Sequence, residues 1–110
     1  GPPDEQGRKA IFLHHMEGLK LSDGIDRDRL AAELAAATPG FTGADIAYIC
    51  QRAALLCVKE ASSAPDRSAA LAITADHFHA AIVSQSHTAR ENRRSDVGGA
   101  GTLLRARAMN

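Results

Sequence analysis

The sequence predicts an all-α fold, a four-helix bundle followed by a disordered C-terminal tail, and three observations carry that prediction. Apolar residues are 45% of the 110 residues while aromatics are 4%, so the core must be built from Ala, Leu and Ile, a composition that favours helices over sheets. Apolar positions recur at spacings of three and four in four separate stretches. Three of those stretches open with an apolar residue followed by Asp or Thr, the local signature of a capped helix start.

The first helix is expected over Asp4–Glu17. Pro3, Asp4 and Glu5 suit a helix entrance, Arg8, Ile11, Phe12, His15 and Met16 share one stripe, and Gly18 ends it. Leu19 and Leu21 continue in an extended or turn-like link to the turn residues Ser22, Asp23 and Gly24. The second helix follows Asp26 as N-cap, with Ile25 stapled to Leu30, and runs to about Ala37 before Thr38-Pro39-Gly40 breaks it. Thr42 then caps the third helix, Asp45 closes a variant capping box, and Phe41 staples to Ile46. Ile46, Ile49, Cys50, Ala53, Ala54, Cys57 and Val58 extend its pattern to about Ala61. A loop over Ser62–Asp66 leads through an ambiguous stretch to Ile73. There Thr74 is the N-cap and Phe78 the staple partner of a fourth helix, expected over Ala75–Ser86.

Residues 1–86 therefore form one helical unit and residues 87–110 a flexible basic tail. A chain of this size supports a single core. Formal net charge is zero, but Arg90, Arg93, Arg94, Arg105 and Arg107 against Glu91 and Asp96 make the tail basic and the body mildly acidic. The tail has no aromatic residue to stack on bases and is interrupted by glycine and acidic residues, which disfavours nucleic acid as a partner. Cys50 and Cys57 stand seven residues apart, about 10 Å along one helix and too far for a disulfide within it. Buried reduced thiols point to the cytoplasm or another reducing compartment. No apolar run approaches the roughly 20 residues that span a bilayer, so this segment has no membrane crossing.

Three stretches in fixed order carry a family likeness: Pro3-Asp4-Glu5 with Arg8, Ile11 and His15; the run Thr38–Ile46; and Ile73-Thr74-Ala75-Asp76 with Phe78 and Ala81. Over residues 2–84 the set resembles the C-terminal helical lid, or small subdomain, of classical-clade AAA+ ATPases, the group of valosin-containing protein, proteasomal ATPases and FtsH-type proteases. The resemblance implies a lid that covers ATP or ADP, which a P-loop domain of the same protein holds with magnesium. By position it places His15, Gly43 and Ala44 near the adenine and ribose. A glycine at a helix start lets backbone approach a ligand that a Cβ would push away, and an imidazole can stack on or hydrogen-bond an adenine edge. Without the resemblance, Gly43 reads as a packing residue of a helix start and His15 as a core or rim histidine. The resemblance further implies neighbouring AAA+ subunits in a hexameric ring, protein substrates, and conversion of ATP hydrolysis into ring motion and chaperone-like remodelling.

No catalytic residue is assigned. The third helix begins Gly43-Ala44-Asp45, without the γ-phosphate-reaching arginine of other AAA+ clades, and Asp45 reads as a cap. The chain has no Gly-x-x-x-x-Gly-Lys-Ser/Thr loop and no apolar strand ending in paired acids, so by itself it should not hydrolyse ATP. Histidines 14, 15, 77, 79 and 87 do not share a helix face, so no metal site is expected and they read as surface or rim residues. The absence of His-Glu-x-x-His argues against the protease branch within these residues, and Ala108-Met109-Asn110 does not resemble the docking tail of proteasomal ATPases. Two other readings remain: a free-standing helical adaptor with a partner-binding groove, and a small DNA-binding module in which Thr38-Pro39-Gly40 mimics a helix-turn-helix. Against the latter, the third helix offers phosphates only Arg52 and Lys59.

Overall fold

A computed structural model of the chain describes residues 1–63 and 71–85. It contains α1 (Glu5–Met16), α2 (Arg27–Ala36), α3 (Gly43–Ala61) and α4 (residues 75–85). These match the four expected helices within a residue at the ends that are described. The expected tail and the stretch before Leu71 lie outside the described residues.

Each helix starts where its cap dictates. The Asp4 carboxylate accepts from Gly7 N–H at 2.7 Å, and Asp26 accepts from the amides of Asp28 and Arg29. Thr42 and Asp45 form a full capping box, with Thr42 Oγ1 accepting from Asp45 N–H at 3.1 Å and Asp45 Oδ2 accepting from Thr42 N–H at 2.9 Å. Two turns separate the first three helices. Thr38-Pro39-Gly40-Phe41 is a type II arrangement, with proline second, Gly40 third at φ +80° and Phe41 N–H donating back to Thr38 C=O. Ser22–Ile25 repeats it with Gly24 at φ +85°.

The members of the three expected staple pairs, Ile25 and Leu30, Phe41 and Ile46, Ile73 and Phe78, all lie in the core or pack against it. Phe12, Met16, Leu34, Ile46, Ile49 and Phe78 are completely enclosed at its centre. α1 packs against both α2 and α3. α4 runs opposite to α3 along its side, since Glu60 near the end of α3 meets His77 while Asp45 at its start accepts from Gln85 at 2.8 Å. The link after α1 becomes one isolated parallel β-bridge between Leu21 and Ile73, closed by Ser22 N–H to Ile73 C=O and Ile73 N–H to Lys20 C=O, each 2.9 Å. This bridge pins the entrance of α4 to the α1–α2 connection, a tie that the helical pattern does not encode.

Two arginines fasten α1 to α2 reciprocally. Arg8, in the first turn of α1, is buried and donates through Nε to Ala35 C=O at 3.1 Å, near the end of α2, and through Nη1 to Pro3 C=O at 2.9 Å. Arg27, the first residue of α2, donates through Nη1 to Met16 C=O and through Nη2 to Leu19 C=O at 2.8 Å, at the end of α1. Each guanidinium thus reaches one carbonyl in the last turn of a helix, Ala35 of α2 or Met16 of α1, and brings positive charge to the negative end of that helix dipole.

Candidate functional site at the start of α3

The capping box decides which backbone donors at the start of α3 are available. It engages the amides of Thr42 and Asp45 and leaves those of Gly43 and Ala44 without a partner among the described residues. Ala44 is exposed and Gly43 half-buried. A Cβ built on Gly43 would meet only Ile11 Cδ1, at 3.9 Å, an ordinary van der Waals contact, and Gly43 is not in the left-handed region. Neither backbone conformation nor internal packing therefore requires glycine at this position, in contrast to Gly40, whose φ of +80° does require it.

The same contact locates His15. Ile11 and His15 are four residues apart on α1 and share a face, so α3 begins against α1 one helical turn before His15. His15 is half-exposed, and its ring meets that of exposed His14 edge-on, with centroids 5.3 Å apart. Gly43, Ala44 and His15 thus lie around the junction of α1 with the start of α3. Asp45 has both oxygens engaged, one by Thr42 and one by Gln85, in keeping with its reading as a cap.

His77 requires a correction. Expected at the surface or rim, it is buried at 7% exposed and serves as the N3 residue of α4's own capping box. Its Nδ1 accepts from Thr74 N–H at 2.9 Å, while Thr74 Oγ1 accepts from His77 N–H at 3.4 Å. Nδ1 must carry no proton to accept there, so Nε2 bears the hydrogen and donates to Glu60 at 3.1 Å. The signal was present as Thr74-x-x-His77, with imidazole in the place that Glu or Gln usually takes. His14 and His79 are exposed, and His87 lies outside the described residues. No group of three His, Cys, Asp or Glu able to hold a metal occurs among the described residues.

Cys50 and Cys57 are buried and form no disulfide. Burial pushes the Cys50 thiol up to about 12. Burial and then the Glu60 charge push Cys57 up as well. Both thiols are held in the protonated, unreactive form.

Residues 28–80, from the first turn of α2 into α4, match the family model of the AAA+ lid domain. These residues form an AAA+ lid domain. Gly43 and Ala44 fall inside the matched range and His15 precedes it. The lid is 44% identical to the mouse mitochondrial inner membrane m-AAA protease component AFG3L2 over 82 residues, 74% of this chain and 9% of that protein. It is 50% identical over 62 residues to mouse AFG3L1, another m-AAA protease component, covering 56% of this chain and 8% of that one. It is also 45% identical over 60 residues to the ATP-dependent zinc metalloprotease FtsH 4 of Sphaerobacter thermophilus, covering 54% and 8%. The chain thus spans less than a tenth of the length of these relatives. Its likeness is to lids of the FtsH type, the branch that the missing His-Glu-x-x-His argued against. That motif bears only on the residues at hand, and a lid is not where a zinc ligand set has to lie.

Proposed function

We propose that this lid covers the adenine and ribose of ATP or ADP bound by a P-loop domain of a longer parent protein, with His15, Gly43 and Ala44 as its contact residues. The observation that carries the reading is the open start of α3, where a glycine that the fold does not require stands beside two backbone amides without partners among the described residues. Such a surface admits a ligand against backbone and offers it hydrogen-bond donors at the positive end of a helix. The His15 ring, half-exposed and one turn from the Ile11 contact, suits an aromatic base edge. Magnesium and the hydrolytic chemistry belong to the P-loop domain; the residues of this chain bind and orient.

The parent, on this reading, is an ATP-hydrolysing ring assembly of the FtsH kind that remodels protein substrates, a hexamer in which lid closure over nucleotide moves neighbouring subunits. Hinged closure of a small domain over a ligand is an established route from ligand contact to rigid-body motion. Two buried cysteines outside any disulfide support a reducing compartment. No helix among the described residues is long and apolar enough to cross a membrane.

The test is Gly43→Val in the parent ATPase, with His15→Ala beside it. Both are expected to raise the KM for ATP by about tenfold while the isolated lid keeps its melting temperature within about 2 °C. Unchanged KM in both variants would refute the assignment.

A further inference from the structure

The outer face of α3 points to a second binding surface. A helix packed on one side only should be polar on the other, yet the outer side of α3 carries three large apolar residues. Its inner face supplies Ile46, Ile49, Cys50, Ala53 and Cys57 to the core, while its outer face leaves Tyr48 40%, Leu55 44% and Val58 53% exposed. These outer residues line a groove of about 400 Å³ together with Gln51, Arg52 and Ala54. At its middle the Arg52 Nε–H is shielded from water and has no acceptor among the described residues. The groove lining holds no carboxylate, and Lys59 beside Val58 is exposed as well.

Charge decides between occupants. The chain's own C-terminal segment sets five arginines against Glu91 and Asp96, a net positive charge that Arg52 and Lys59 repel. A second copy docked face to face about a two-fold axis would bring like charges together. We infer that the outer face of α3 docks an amphipathic helix of a protein partner, whose apolar stripe carries one Asp or Glu that accepts from Arg52. Tyr48 to Val58 spans about 15 Å, close to three helical turns, which suits a helix laid in a groove. Tyr and Arg, which Tyr48 and Arg52 supply here, are also residue types that dominate binding energy. The inference is independent of the nucleotide reading, because this face is turned away from the α1 junction.

The test uses the full chain, isotope-labelled, and a synthetic amphipathic helical peptide of roughly 18 residues, long enough to overhang the groove. Its apolar stripe carries Glu, Gln or Lys at the central position. The Glu peptide should shift the amides of residues 48–58 and the Arg52 Nε–H resonance, and bind about tenfold more tightly than the Lys peptide. Arg52→Met should abolish that preference while the chain keeps its circular dichroism spectrum, and Leu55→Asp should abolish binding of all three. Equal affinity for all three peptides, or no binding at millimolar concentration, would overturn the inference. So would methyl contacts from Leu103 or Leu104 to Leu55 or Val58 in the free chain, or concentration-dependent shifts of the same amides without peptide. The first would make the chain's own tail the occupant and the second another copy.

Discussion

Replacing Arg8 by Met keeps most of an unbranched apolar stem and removes the guanidinium, so it isolates the tie between α1 and the end of α2. Two hydrogen bonds are lost, Nε to Ala35 C=O at 3.1 Å and Nη1 to Pro3 C=O at 2.9 Å. Bonds to a charged group contribute about 1.5–3 kcal/mol each. The two carbonyls are not left bare to the same degree. Ala35 C=O still accepts from Thr38 N–H at 3.4 Å and Thr38 Oγ1 at 3.3 Å, and the Pro3 bond is only part-buried. After that discount the expected loss is about 2–3 kcal/mol, a large share of the total stability of a small domain. At about 4–8 °C per kcal/mol the melting temperature should fall by about 10–20 °C. Urea and thermal melts followed by circular dichroism measure it. The control is Lys9→Met, one residue on, which breaks the 3.2 Å pair with Asp28, a carboxylate 72% exposed. A surface pair of that kind contributes about 0–1 kcal/mol. Equal losses in the two variants would refute the claim that Arg8 acts through buried carbonyls and not through surface charge.

His77→Ala should cost about 1–2 kcal/mol by removing one arm of the α4 capping box, whereas His77→Gln, which can still accept from Thr74 N–H, should recover about half in the same melts. Cys50 should resist a thiol reagent such as dithionitrobenzoate at pH 8 in the folded chain and react on unfolding. Because burial raises Cys50 from 9.0 to about 12, the unfolded chain loses its thiol proton first; the contribution is full below pH about 9 and stability falls as pH rises through that window, a slope that Cys50→Ala should reduce in urea melts. Gly40→Ala should lose about 1 kcal/mol, because its φ is +80°, while Gly43→Ala should be neutral or gain up to about 1 kcal/mol in the isolated lid, since its Cβ has room and alanine favours a helix.

What the sequence made legible is what short stretches determine. Asp26, Thr42 and Thr74 announce their helices because a cap and its staple lie within six residues, and the chain needs no knowledge of its neighbours to form them. The Thr38–Phe41 turn is equally local, its proline and glycine answering to two backbone angles. Gly43 and Ala44 could be singled out only through a family resemblance, since a small residue at a helix start has several uses. The structure narrows them by showing that the fold leaves Gly43's missing Cβ unused.

The polar ties were hidden for the converse reason. Arg8 and Ala35 are 27 residues apart, His77 and Glu60 17, Asp45 and Gln85 40. Each pairing depends on how two helices cross, and that depends on the whole core. A clue existed in Arg8, a charged residue on the stripe that carries Phe12 and Met16, because a charge on the buried side of a helix needs a specific partner there. Arg52 gives the opposite clue. It lies between apolar Tyr48 and Leu55 on the side of α3 that should have been polar. A helix pattern scored only for its inward face passes over such a residue. Yet the same rule that assigns Ile46 and Ile49 to the core implies that an outward Tyr, Leu and Val around an arginine have something to cover them.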